Sequence, residues 1–249
     1  MFRGDFQHIQ TIEELTLSAW PALQQVFHDG WVVRFANGYT RRSNSVVPLS
    51  AGSIDVQEKI RFCEELYRSK ELPTVFKLTS ASKPPGLDAA LAGAGFHSAS
   101  GAIVKTAELT TVPTESDPRI IDAPPDQWVA ALAQLGHVAP KHVDTLRAII
   151  DAIALPRHLA LLVEGQQIIA SGLAVRQGRW LGLFDIATDA RFRRRGFGSA
   201  VVGTLLQWGK SQGAQKAYLQ VVADNQPARA MYEKHGFRAA YEYEYWQEG

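Results

Sequence analysis

The stretch "RFRRRGFGSA", residues 191–200, sets Arg191, Arg193, Arg194 and Arg195 ahead of Gly196, Phe197, Gly198 and Ser199. These residue types in this order suit an anion. The segment leaves a strand-like run, "WLGLFDIAT", and enters a helix-like one, "AVVGTLLQWG". A helix start offers unpaired backbone N–H groups and the positive end of the macrodipole. Glycines let several N–H groups converge and let a phosphate approach the backbone without a Cβ in the way. A pyrophosphate is the ligand that such a turn suits best. A dinucleotide fold would need G-x-G-x-x-G, and only Gly196-Phe197-Gly198 is present; the P-loop Lys-Ser/Thr is missing as well. Residues 195–198 match the start of an RNA-recognition signature, but Ser199 and Val202 then stand where base-stacking aromatics belong. A solvated basic turn is the plain alternative.

A second constellation lies in "NQPARAMYEKHGF", where Asn225, Ala228 and Tyr232 share one helical face. Pro227 falls in the first turn and Gly236 is placed to end the helix. The histidines have no metal-ligand spacing: His137 and His142 are separated by a proline, and His235 sits where a cation suits a helix C-terminus. No metal is expected. The single cysteine, Cys63, excludes a disulfide scaffold and reads as a core thiol of a helix.

The elements that must hold these groups follow from periodicity. After "TAELTTVPTESDPRI", which reads as a linker centred on residues 111–117, come two helices, three strands broken at Glu164-Gly165 and Gln177-Gly178, then helix, strand, helix, strand. Residues 1–110 repeat that order faintly. Residues 12–30 read as helix, "WVVRFANG" and "RRSNSVVPL" as strands, "IDVQEKIRFCEELYRSK" as helix, "TVFKLTS" as strand, "GLDAALAGAGF" as helix and "AIVKTAEL" as strand. One α/β unit present twice is the expectation, with domains at 1–110 and 118–249. Apolar residues at 46% and charged ones at 20% fit a folded chain, and a net charge of +1 predicts neither nucleic-acid nor membrane partners. With no signal-like N-terminus or membrane-length apolar run, the cytoplasm is the expected compartment.

Two motifs in sequence give a specific resemblance. R-x-x-G-x-G is filled by Arg193, Gly196 and Gly198, and N-x-x-A-x-x-x-Y-x-x-x-G-F by Asn225, Ala228, Tyr232, Gly236 and Phe237. Together they resemble the acyl-CoA-binding motifs of the GNAT superfamily of N-acyltransferases, and "LFDIATDARFRRRGFG" is most similar to the ribosomal-protein alanine acetyltransferases. The resemblance covers residues 118–249. The first half resembles only the degenerate copy of doubled members, with Pro84 and Leu91 where Asn and Tyr belong. It implies a mixed α/β fold, with a mostly antiparallel sheet flanked by helices, present twice. It implies acetyl-CoA as co-substrate, its pyrophosphate on backbone N–H groups from Arg193 through Arg194, Arg195, Gly196, Phe197 and Gly198 to Ser199. The pantetheine arm would pair with Ile186 and Thr188, Asn225 would hydrogen-bond it, Ala228 would be small where it passes, and Tyr232 would stand near the thioester sulfur as general acid.

The acceptor so implied is a small amine, an amino acid or a peptide N-terminus, served by a monomer or homodimer. The pattern departs at Gln220, where the alanine acetyltransferases carry a glutamate base. A non-catalytic acyl-CoA-binding module is the alternative that this departure supports. Asp185 is the nearest substitute, although strict alternation from Ile186 and Thr188 points it to the opposite sheet face. Trp31, Arg34, Arg41, Arg42 and Asn44 are rich in recognition chemistry and fit either an anion-binding cover over the acceptor or inter-domain hydrogen bonds. Tyr241, Tyr243 and Tyr245 share one strand face and read as an amphipathic strand or as pocket lining.

Overall fold

In the computed structural model, residues 5–110 and 117–249 are described. Residues 111–116 of the expected linker lie outside them. The fold is mixed α/β with a mostly antiparallel sheet, and the chain forms two compact units.

Unit 1 runs to Ile103 and also takes in Ala240–Gly249. Its first helix, α1 (Phe6–Ala19), starts where the Asp5 side chain accepts from the Gln7 N–H, and it stops just before Pro21. The expected helix over 12–30 is therefore too long. Gln24–His28 forms β1, which turns through Asp29 and Gly30 into β2 (Trp31–Phe35). Both turn residues have positive φ, 43° and 86°, so this is a two-residue hairpin of the kind that Asp-Gly favours. The tertiary pairing of Gln24–His28 outweighs the apolar spacing that made the segment look helical.

Then follow β3 (Val46–Pro48), α2 (Val56–Arg68), β4 (Val75–Thr79), α3 (Leu87–Gly93) and β5 (Phe96–Glu108). β3 and β4 are parallel and meet at Val46 and Phe76 only. Beside β4 lies β11 (Arg238–Glu248), antiparallel, with Tyr243 opposite Thr79 and Gln247 opposite Val75. Trp31, Phe35, Tyr67, Phe76 and Phe96 close around Cys63, whose thiol is fully buried and pushed up to about 12. It is the core thiol that its helical spacing predicts.

Unit 2 spans Val104–Ala239. β6 (Ile120–Asp122), β7 (Arg157–Glu164), β8 (Gln167–Gln177) and β9 (Trp180–Thr188) are consecutive antiparallel neighbours, and β10 (Lys216–Val222) joins β9 in parallel. The end of β5 takes the place on the other side of β10. Helices α4 (Pro125–Gln134), α5 (Val143–Asp151), α6 (Phe197–Ser211) and α7 (Gln226–Lys234) complete the unit. Val201, Leu205 and Leu206 bury the inner face of α6, each contributing about 1.5–3 kcal/mol. The helix lies so close to β8 that a Cβ on Gly172 would come within 2.8 Å of Val201 and 2.9 Å of Leu205.

Candidate functional site

The site begins where two parallel strands part. β9 and β10 are in register from Trp180 opposite Lys216 to Leu183 opposite Leu219, and there the pairing ends. β9 continues to Thr188 and β10 to Val222, so a wedge opens between them. Gln220 is the first β10 residue past the last pair.

β9 is bulged within this wedge. The pairing with β8 steps from Leu173 opposite Phe184 to Ser171 opposite Ala187, so Asp185 and Ile186 together face Gly172. Asp185 sits in the left-handed region, φ 47°. The bulge interrupts the strict alternation that sets Asp185 on the sheet face opposite Ile186 and Thr188, because one extra residue breaks the period of two. Past the bulge, the Asp189 N–H donates to the Ile169 carbonyl on β8. Backbone direction alternates along a strand, so the peptide groups of Ile186 and Thr188 face the open side.

The arginine-rich loop is built by local hydrogen bonds. Asp189 accepts from the Arg191 N–H at 2.9 Å and from the Arg191 guanidinium at 2.6 Å. The guanidinium and this N–H hold the Asp189 carboxyl at about 2. Arg191 is thereby occupied by its neighbour. The Arg193 Nε donates to the Thr188 carbonyl at 3.4 Å, and Arg195 lies over the rings of Phe192 and Phe197. Arg194 and Gly196 are both left-handed, φ 60° and 85°, which curls the backbone into the first turn of α6. Gly196 is the N-cap and supplies no side chain to that turn; a Cβ there would meet open space. The N–H groups of Phe197, Gly198 and Ser199 thus have no intrahelical acceptor and no side-chain cap. Phe197 is buried and anchors the turn. Gly198 is the tight position, since a Cβ would lie 3.2 Å from Thr188 Oγ1 and 3.4 Å from Met231 Sδ.

α7 supplies the other wall. Asn225 is its N-cap, with Oδ1 accepting from the Ala228 N–H at 3.2 Å, which leaves the amide N–H groups for donation outward. Ala228 is half-buried on the next turn. Tyr232 is buried against Phe237, ring centroids 6.0 Å apart. Burial first, and then the charge of Asp185, push its hydroxyl up to about 12. Glu233 pairs with Lys105 at 2.7 Å on the far side of α7. The structure thus brings Ile186, Thr188, Arg193 through Ser199, Asn225, Ala228 and Tyr232 to the elements around one wedge in unit 2.

Two contacts here have no local sequence signal. His235 Nε2 lies 2.8 Å from Ser199 Oγ, joining the end of α7 to the start of α6. His137 Nε2, from the loop after α4, lies 3.6 Å from Asp185 Oδ1. Both pair residues far apart in the chain, which only the fold brings together.

The recognition-rich residues of the first half serve unit 1 itself. The buried Arg34 guanidinium donates to the carbonyls of Arg42, Leu17 and Trp20. Asn44 holds the 36–40 loop through the Ala36 and Gly38 N–H groups, and Arg41 donates to Ser100 and Gln247. Trp31 Nε1 donates to the Lys83 carbonyl. Tyr241, Tyr243 and Tyr245 are buried on one face of β11, and the Tyr241 hydroxyl donates to Glu13 at 2.7 Å. Among the described residues, no group of three or more His, Cys, Asp or Glu is arranged to hold a metal, and no helix is long and apolar enough to cross a membrane.

A family model described as "Probable histone acetyltransferase Rv0428c C-terminal" matches residues 7–246. Among curated proteins, the "Uncharacterized N-acetyltransferase YobR" of Bacillus subtilis is 27% identical over 246 residues, 95% of this chain and 97% of its own. The "Probable histone acetyltransferase Rv0428c" of Mycobacterium tuberculosis is 25% identical over 218 residues, 86% of this chain and 66% of its own. Among solved structures, a GCN5-related N-acetyltransferase from Kribbella flavida superposes with a TM-score of 0.70 at 15% identity, covering 99% of this chain and 96% of that one. A tandem GNAT protein from the clavulanic acid biosynthesis pathway gives a TM-score of 0.57 at 12% identity, over 77% of this chain and 68% of that one.

Proposed function

The chain belongs to the GNAT superfamily of N-acetyltransferases, in the Rv0428c C-terminal family, and from that premise we propose that unit 2 carries an acetyl group from acetyl-CoA to a primary amine. One observation carries the reading. The β9–β10 wedge opens directly in front of a helix start whose N-cap has no side chain, with a buried tyrosine on the adjoining helix.

The residues present fit the co-substrate. The uncapped N–H groups at Phe197, Gly198 and Ser199, reached through the left-handed Arg194 and Gly196, suit the pyrophosphate. Arg193 and Arg195 add positive potential, while Arg191 is already paired with Asp189. The outward peptide groups of Ile186 and Thr188 suit the amides of the pantetheine arm, which pair as a strand would. The Asn225 amide can donate to the same arm, and Ala228 leaves room beside it.

The chemistry is direct attack of the amine nitrogen on the thioester carbonyl. As the C–N bond forms and the C–S bond breaks, the leaving sulfur gains a proton from the Tyr232 hydroxyl. Burial keeps that hydroxyl protonated throughout the neutral range, which suits a donor. Backbone N–H groups on the free edge of β9 can polarise the carbonyl, a role typically contributing about 3 kcal/mol. The acceptor is a small amine, an amino acid or a peptide N-terminus.

Calorimetric titration with CoA tests the binding step; one-to-one saturable binding is expected, and its absence sinks the reading. Thiol release from acetyl-CoA across a panel of amines, amino acids and peptides then tests transfer. With an acceptor in hand, Tyr232→Phe lowers kcat by about 10²-fold while CoA affinity holds. An unchanged kcat removes Tyr232 from the mechanism.

A further inference from the structure

Gln220 stands where the alanine acetyltransferases that this stretch resembles carry a glutamate base, and a glutamine takes no proton. A carboxylate stands at the bulge of β9, beside the wedge. Asp185 lies on β9 just past the last strand pair, and its side chain is 10% exposed. One carboxylate oxygen, Oδ2, is buried with no hydrogen-bond partner. The other is 3.6 Å from His137 Nε2, on a side chain that is 40% exposed. A half-satisfied buried carboxylate is costly to keep, and an unpaired oxygen is most readily explained by a cationic or N–H-bearing ligand. Asp185 is also near enough for its charge to act on the Tyr232 hydroxyl, the proposed acid.

We infer that the Asp185 carboxylate receives the acceptor's ammonium group and takes its proton, with His137 relaying that proton to solvent. The inference rests on the acetyltransferase reading above and narrows it: the acceptor is an aliphatic primary amine that arrives protonated. R–NH₃⁺, received at Oδ2, gives one proton to the Asp185 carboxylate, whose Oδ1 faces His137, and becomes the nucleophile. Asp185 passes that proton through His137 Nε2 to water. The attacking nitrogen loses a second proton as the amide forms, which restores Tyr232 after its proton has gone to the sulfur. The sum is R–NH₃⁺ plus acetyl thioester giving amide, free thiol and one proton in solution. The groups set against Asp185 are His137 from the loop after α4, Tyr232 from α7 and the Ser171 hydroxyl of β8, which bonds the Asp185 carbonyl. His137 and Tyr232 are the titratable ones among them.

The test compares Asp185→Asn with the wild type on two acceptors, an alkylamine and an arylamine that is neutral at pH 7. For the alkylamine, kcat/KM at pH 7 should fall by about 10²-fold, and the gap should narrow as pH rises toward about 10, where the amine needs no base. The arylamine rate and the CoA affinity should stay within a few-fold. Loss of equal size at every pH, equal loss on both amines, or no loss overturns the inference and leaves the acetyltransferase reading standing. A wild type that binds acetyl-CoA but releases thiol to no amine overturns both. If Asp185→Asn does not fold, His137→Gln, at the half-exposed partner, reads the same pH-dependent loss at smaller size, and a flat profile there overturns the relay.

Discussion

Replacing Gly196 by alanine isolates what backbone conformation contributes to the helix start. The residue sits at φ 85° as the N-cap of α6, and a Cβ there would meet no atom within 4 Å. Alanine therefore adds no clash and acts through strain alone. Holding an L-residue with a Cβ in the left-handed region costs about 1–2 kcal/mol. That cost must appear somewhere. Either the native turn is kept and unit 2 loses stability, or the first turn of α6 relaxes and its N–H groups no longer converge. By either route the penalty is about 5–30-fold, in the unfolding constant or in the dissociation constant for CoA. Asparagine tolerates the left-handed region better than other side-chain-bearing residues, so Gly196→Asn should lose clearly less. Urea unfolding of each variant, paired with CoA titration, reads both routes. Equal total losses for alanine and asparagine would refute the strain account. Arg191→Ala supplies the contrast: its guanidinium is 70% exposed and already taken by Asp189, so a few-fold, salt-sensitive change is expected.

Three other outcomes follow from buried and paired groups. Glu13→Ala strands the Lys77 ammonium, now held at 2.6 Å and 2.8 Å, and should cost about 3–5 kcal/mol in urea unfolding, with Glu13→Ala/Lys77→Met recovering much of it. Asp29 is held at about 2, below its ordinary 3.8, chiefly by the Ile54 and Ser53 N–H groups. A carboxyl depressed by folding adds stability that is complete above its unfolded value and is lost as pH falls through its folded one. Stability should therefore decline between about pH 4 and 2, and Asp29→Asn should flatten that decline. Cys63 should stay closed to a thiol reagent in the folded protein, because burial holds its thiol at about 12, and react stoichiometrically in denaturant.

Much of the fold was legible because its signals are local. The α6 and α7 helices, the β7–β9 meander and the glycines at 196 and 198 each rest on patterns within a few residues. β1 is not legible from spacing because Leu23, Val26 and Phe27 continue a helical pattern, while its strand state depends on pairing with β2. The surroundings of Asp185 are hidden for a related reason. A single-residue bulge leaves no mark on composition or period, yet it interrupts the alternation on which strand facings are read. The His137–Asp185 and His235–Ser199 contacts join segments distant in the chain and have no periodic signature.

The place of β11 bears on how the chain comes off the ribosome. The edge of β4 is covered by Tyr243–Gln247, which are made only after the whole of unit 2. Unit 1 consequently waits through translation of all of unit 2 with one strand edge bare, a surface that invites pairing with another nascent chain. A stop codon shortly before Tyr241 would leave unit 2 almost whole by length, yet its damage would fall on the opposite half, more than a hundred and fifty residues upstream in sequence.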